Sequence, residues 1–307
     1  MSKNINFFLI PLFLSMGFWW MINFSQNNLE NFFYAQISEP IGQIIEVKLP
    51  QKPLLELKAK SAISIKISKS DKEKTLFRKN TEEVLPLASL TKLITALVVL
   101  EDPNYDLKRL VVVSKAASNQ ENVPNYGNLK IGERFTVEKL LELMLSYSSN
   151  DAAYALAEVI GVDNFVDKMN FKTRELMLAQ TQFLNPTGLD PENLFYGQDT
   201  KSYFNYSTAD DLIILAKYIF FNHPLILEIA SKKKTYQVKN GVSDLIFPEN
   251  QVMLGGKTGY TDEAGGCLFF IFQNEQGTVF INVILGSPSS ESRTQDAQKL
   301  INWINSF

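Results

Sequence analysis

The sequence predicts an α/β protein of the α+β kind: an antiparallel sheet flanked by helices, with an all-helical lobe inserted and an N-terminal membrane helix in front. Three observations predict it. Strand patterns cluster at the two ends of the folded part, residues 102–230 between them read as mostly helical, and Phe7 to Phe24 are almost continuously apolar.

The elements follow in chain order. FFLIPLFLSMGFWWMINF, residues 7–24, would reach roughly 27 Å as a helix, close to the ~30 Å of a bilayer core. Lys3 and the free amine precede it, which places the N-terminus in the cytoplasm and the remainder outside. A cleaved signal peptide is the alternative, but no small-x-small cleavage site stands out. The expected division is 1–25 as signal-anchor or signal peptide, 26–58 as a polar tether, and 59–307 as the folded unit. SAISIKIS, residues 61–68, alternates as a strand, and Thr75 to Lys79 returns as a second. SLTKLITALVVLE, residues 89–101, is apolar on nearly all sides and belongs in the middle of a domain. Thr136 opens an amphipathic run of two helices with Ser148 to Asn150 at their junction. Asn164 to Ala179 is a further helix, and Asn185-Pro186-Thr187-Gly188 is a turn. Ser207 to Asp210 caps the helix LIILAKYIFF. Thr235 to Lys239, Gly255 to Tyr260, Leu268 to Gln273 and Val279 to Leu285 read as strands, and Ser289 to Trp303 as a closing amphipathic helix.

Bulk properties bound the function. The 307 residues are 45% hydrophobic and 21% charged, an ordinary globular composition, and the net charge of −3 gives no reason to expect nucleic acid. One histidine, His223, and one cysteine, Cys267, are present. A Ser-His-Asp triad would have to use His223, which reads as part of a loop before Pro224. A zinc site built on His and Cys is nearly excluded, because too few such ligands exist. Cys267 lies in an apolar run and reads as buried packing.

Three short motifs carry chemistry: Ser89-Leu90-Thr91-Lys92, Ser148-Ser149-Asn150 and Lys257-Thr258-Gly259. Ser-x-x-Lys recurs at Ser231 to Lys234, so order, spacing and surroundings give the set its weight. Ser89 at a helix N-terminus has its backbone N–H where an oxyanion is favoured. Lys92, one turn on, reaches the Ser89 hydroxyl. Burial, together with the charge of Lys257, is expected to depress the Lys92 pKa and make it a base. Ser148 can relay a proton to a leaving amine. Asn150 offers an amide to substrate and to Lys92. Thr258 can meet a carboxylate, Lys257 supplies a fixed positive charge, and Gly259 leaves a strand edge open to a substrate backbone. The N–H of Tyr260 is the expected second oxyanion donor. A capping serine and a solvent-seeking lysine would explain the first motif alone, and a cap or a plain strand would explain the others.

At these motifs the chain resembles the serine D-alanyl-D-alanine carboxypeptidases, the low-molecular-mass penicillin-binding proteins. The resemblance covers roughly residues 59–306. It extends through Leu87 to Leu93, Ser149 to Ala153, Asn185 to Leu189, Ser207 to Asp210 and Gly256 to Thr261. It implies a β-lactamase-like fold, with Ser89 the acylated nucleophile, Lys92 its base and Ser148 the relay. Asn150, Lys257, Thr258, Gly259 and Tyr260 would hold substrate. It implies no metal and no cofactor, peptidoglycan stem peptides as substrate, and β-lactam antibiotics as covalent inhibitors. Ser149 stands where the family often has glycine. Many carboxypeptidases of the family continue into a β-rich domain and an amphipathic anchor. Neither follows the closing helix here, so endopeptidase cleavage of cross-links is kept beside carboxypeptidase action. The same motifs are also compatible with a β-lactamase and with a non-catalytic penicillin-binding sensor of the cell wall.

Overall fold

The computed structural model describes residues 20–26, 28–29, 54–120, 127–190, 204–231 and 241–306. The chain divides into two units, Met1–Lys52 and Pro53–Phe307. In the first, residues 20–26 and 28–29 are helical, and the Trp20 and Phe24 rings stack with centres 5.6 Å apart. Most of the expected membrane helix lies outside the described residues. Among the described residues, no single helix is long and apolar enough to cross a membrane.

The second unit is built on a five-stranded sheet. Its strands are β1 (Ser61–Ile67), β2 (Glu73–Lys79), β3 (Gln251–Thr261), β4 (Gly265–Asn274) and β5 (Val279–Ser287), in the order β2-β1-β5-β4-β3. Every pairing is antiparallel. Strands from the two ends of the unit meet in the middle, where β1 pairs with β5 from Ser61↔Leu285 to Ile67↔Val279. Both faces are covered, which is why β4 and β5 are mainly apolar and do not alternate, with buried Asn282 in the middle of β5 the polar exception inside the sheet. Ile63, Ile65, Phe269, Ile271, Ile281 and Val283 enter the larger core with the helices of the lobe. Leu268, Phe270 and Phe272 pack on Leu300, Ile301 and Trp303 of the closing helix, Ser290–Ile304. The expected strand at 235–239 lies outside the described residues.

The lobe contains α1 (Lys92–Glu101), α2 (Val137–Ser146), α3 (Asn150–Glu158), α4 (Val162–Glu175), α5 (Ala209–Asn222) and α6 (Pro224–Ser231); the closing helix is α7. The lone apolar helix read from the sequence is α1, with Leu93, Ile94, Ala96, Leu97, Val98 and Val99 all buried. Thr136, Ser149 and Thr208 cap α2, α3 and α5, each hydroxyl accepting a backbone N–H from inside the first turn.

Three elements differ from expectation. The helix expected to run to Ala179 stops at Glu175, because Met177 takes φ 56° and the Leu178 N–H turns back to the Thr173 carbonyl at 2.8 Å. That 6→1 bond is a Schellman ending, which glycine usually signals and methionine conceals. Residues after His223 are helical, not a loop: Pro224 starts α6, bent 95° from α5, since proline ends one helix and suits the first turn of the next. A three-residue antiparallel ladder, Leu110–Val112 with Arg134–Thr136, is too short to register as alternation.

Candidate active site

Ser89 sits in a single 3-10 turn, Ala88–Thr91, that leads into α1. The expectation was a plain α-helical start. The tighter turn eclipses residues i and i+3, which is the relation of Ser89 to Lys92. Ala88, just before the serine, has φ 45°, an unusual value for a residue with a Cβ. The turn thereby lifts Ser89 into partial exposure while Lys92 beside it is fully buried.

The Lys92 amine lies 2.8 Å from Ser89 Oγ, 2.6 Å from Asn150 Oδ1 and 2.5 Å from the Thr187 carbonyl. Burial lowers its pKa from the ordinary 10.5 to about 7. Lys257, expected to assist in that shift, turns elsewhere: its amine donates to Ser148 Oγ at 2.8 Å and to the Thr258 carbonyl at 2.8 Å, and the side chain is buried. Ser148 lies between α2 and α3 with φ 61°, a second left-handed residue with a side chain at this cleft. Three distant segments therefore meet in one cleft, Lys92 bonded to Ser89 and Asn150, and Lys257 bonded to Ser148.

Strand β3 closes one side. A Cβ on Gly259 would lie 3.0 Å from both Ser89 N and the Leu87 carbonyl, so any side chain there would press on the serine turn. Tyr260 follows, 47% exposed, on the edge strand of the sheet. Thr258 and Thr261 are partly exposed along the same strand.

Four supports carry no chemical signal in the sequence. The Thr187 carbonyl holds Lys92, and it is positioned by Asn185, whose Oδ1 accepts from the N–H groups of Thr187 and Gly188 at 3.1 and 2.7 Å. Gly188 has φ +82° and lies so close to Ala88 that a Cβ would fall 2.0 Å from the Ala88 carbonyl. Asn205 links Thr91 Oγ1 at 3.0 Å to the Asn185 carbonyl at 2.8 Å. Arg293 of α7, 4% exposed, reaches under the sheet and donates to the Gly259 carbonyl at 2.8 Å. The Asn-Pro-Thr-Gly turn was visible as a turn. Nothing in the local sequence of Asn205 or Arg293 announces its reach.

His223 Nε2 lies 2.8 Å from Glu101 Oε1 at the opposite end of α1, not beside Ser89. Cys267 is fully buried, and burial pushes its thiol up to about 11, which suits packing and not nucleophilic attack. Among the described residues, no cluster of three His, Cys, Asp or Glu side chains can hold a metal.

A family profile described as D-alanyl-D-alanine carboxypeptidase matches residues 46–289. The chain is 31% identical over 259 residues to D-alanyl-D-alanine carboxypeptidase DacF of Bacillus subtilis, covering 80% of this chain but only 61% of that protein. It is 27% identical over 293 residues to a D-alanyl-D-alanine endopeptidase of Pseudomonas aeruginosa, covering 91% of this chain and 89% of that one. Among solved structures, penicillin-binding protein D2 of Listeria monocytogenes in its ampicillin-bound form aligns with a TM-score of 0.66 at 28% identity. That alignment covers 82% of this chain and 98% of the other.

Proposed function

The chain belongs to the D-alanyl-D-alanine carboxypeptidase family, and from that premise we propose that it is a serine DD-peptidase acting on peptidoglycan stem peptides through an acyl-enzyme on Ser89. The observation that carries this reading is the buried Lys92 amine, with a pKa near 7, placed 2.8 Å from the Ser89 hydroxyl. A neutral amine has two N–H donors and one lone pair. Asn150 Oδ1 and the Thr187 carbonyl only accept, so they take the two donors. The lone pair is left facing Ser89, the one partner with a proton to give.

Ser89 Oγ adds to the carbonyl carbon of the penultimate D-alanine as its proton passes to Lys92. The N–H groups of Ser89 and Tyr260 stabilise the oxyanion. The C–N bond breaks, and the leaving amine takes a proton through Ser148, whose hydroxyl is held by Lys257. Water then adds to the ester carbonyl, giving up a proton to Lys92, and Ser89 leaves with its hydroxyl restored. Asn150 and Thr258 hold the substrate backbone and terminal carboxylate, and the β3 edge beside Gly259 pairs with the peptide. β-Lactams, which carry a similar strained amide, would acylate Ser89 and persist there. Residues 7–24 would hold the catalytic unit, 59–307, at the outer face of the cytoplasmic membrane through a tether at 26–58.

Mass spectrometry of muropeptides after incubation tests the reading. Pentapeptides are expected to lose one alanine, and Ser89→Ala is expected to abolish the loss; trimming by that variant at the wild-type rate would end the proposal. Conversion of cross-linked dimers to monomers would assign endopeptidase action, a reading favoured by the near full-length match to the Pseudomonas endopeptidase. Rapid turnover of a fluorescent penicillin would assign β-lactamase action instead, and stable labelling without any peptide cleavage a sensor.

A further inference from the structure

Two walls of the cleft do different work, and a pair of side chains outside the motifs ties them together. One wall is the turn 185–189, which presents the Thr187 carbonyl to Lys92 and packs Gly188 on Ala88. The other is the end of β3, which packs Gly259 on the serine turn and carries Tyr260, the proposed second oxyanion donor, directly after it. Neither wall is bonded to the other by the sheet, because the turn lies outside it. The next charged residue after the turn is Asp190, partly buried. Its Oδ1 accepts a hydrogen bond from Thr261 Oγ1 at 3.1 Å, and Thr261 directly follows Tyr260 on β3. The same Thr261 oxygen accepts the Ala264 N–H at 3.2 Å, so its proton is directed at Asp190 and the β3–β4 turn is closed around it. The backbone N–H of Glu263 also bonds to Asp190.

We infer that Asp190 and Thr261 form a latch that fixes the acceptor of Lys92 relative to the oxyanion donor at Tyr260, making both positioning residues for acylation. Asp190 lies three residues from the carbonyl that orients the base. Thr261 lies one residue from the N–H that receives the developing negative charge. The Asp190 carboxylate therefore spans the two groups whose relative placement acylation requires, bonded to the Thr261 hydroxyl and to the N–H of Glu263. The spacing matters because acyl transfer needs the base and the oxyanion donors in register with one carbonyl group at the same moment. The carboxylates of Asp262 and Glu263 face Asp190 from the β3–β4 turn, and they oppose its charge without offering it a donor side chain.

The inference rests on acylation of Ser89 as the first chemical step, and the experiment separates the two ideas. The first-order rate of labelling by a fluorescent penicillin is measured at saturating reagent for the full chain and for Thr261→Val, Thr261→Ser, Asp190→Ala and the Asp190→Ala/Thr261→Val double variant. Thr261→Val keeps the shape and removes the donor. It is expected to slow labelling between about tenfold and a hundredfold, the range for reacting groups displaced by up to an ångström. Thr261→Ser, which keeps the hydroxyl, is expected to restore most of the rate. The double variant is expected to be slowed by less than the product of the two single effects, because both singles lose the shared Asp190–Thr261 bond and each loses only one further bond, to Ala264 or to Glu263. Wild-type rates in Thr261→Val, or single effects that multiply in the double variant, would overturn the latch. Should Asp190→Ala fail to fold, the Val and Ser variants at 261 still decide the matter. Absence of any labelling in the unaltered chain would instead overturn the acyl-enzyme itself.

Discussion

At the scale of single residues, the chemistry is concentrated in one amine. Because burial brings Lys92 to about 7, labelling of Ser89 should climb about tenfold per pH unit below that value and level off above it. A stopped-flow series from pH 5 to 9 that stayed flat would contradict the role of Lys92 as base. Gly188 is the second residue on which much depends. Its φ of +82° and its contact with Ala88 leave no room for a methyl group. Gly188→Ala is expected to destabilise the protein by about 2 to 4 kcal/mol, from backbone strain and overpacking together, measured by urea unfolding. The meeting of Ser89, Lys92, Ser148, Asn150 and Lys257 was legible in the sequence because three motifs together resemble those of one family in residue type, order and spacing. The Thr187 carbonyl was not, since a backbone acceptor can belong to any residue.

At the scale of elements, β1 and the amphipathic helices could be read from a periodic buried face, and β4, β5 and α1, covered on all sides, from apolar runs bounded by turns. The Schellman end of α4 and the proline start of α6 escaped, one for want of glycine and the other because proline usually marks a stop. α7 was expected only to cover the sheet, and it does so with Leu300, Ile301 and Trp303. It also sends Arg293 beneath β3, a reach of 34 residues along the chain that no local pattern encodes. Arg293→Ala leaves the Gly259 carbonyl without this donor and opens a void beside the serine turn. Loss of about 2 kcal/mol of stability is expected, a typical value for a bond to a charged group. The labelling rate should fall with it, because Gly259 packs against Ser89. An unchanged rate together with an unchanged melting temperature would show that α7 serves as cover alone.

At the scale of the whole molecule, α1 joins two polar centres through an apolar middle. Lys92 stands at one end, and at the other Glu101 meets Lys172, Tyr218 and His223, uniting α1, α4 and α5. Burial alone would raise the Glu101 pKa, but hydrogen bonds from Lys172, Tyr218 and His223 outweigh it and hold the carboxyl below its usual range. A carboxyl depressed in the folded state stabilises above its unfolded pKa and ceases to do so as pH falls through the folded value. The stability gap between the protein and Glu101→Gln should therefore be full at pH 7 and shrink below about pH 4. Urea midpoints across that range would test it, and a gap independent of pH would refute it. Interring Lys92 has the opposite thermal sign. The folded chain must give up a proton that the unfolded chain keeps between pH 7 and 10.5. The melting temperature of Lys92→Met, which also loses the bonds to Asn150 and Thr187, is accordingly expected to gain on that of the native sequence as pH falls from 10 to 7. Keeping the amine ready to accept a proton thus carries a stability cost that grows as the solution is acidified from pH 10 to 7.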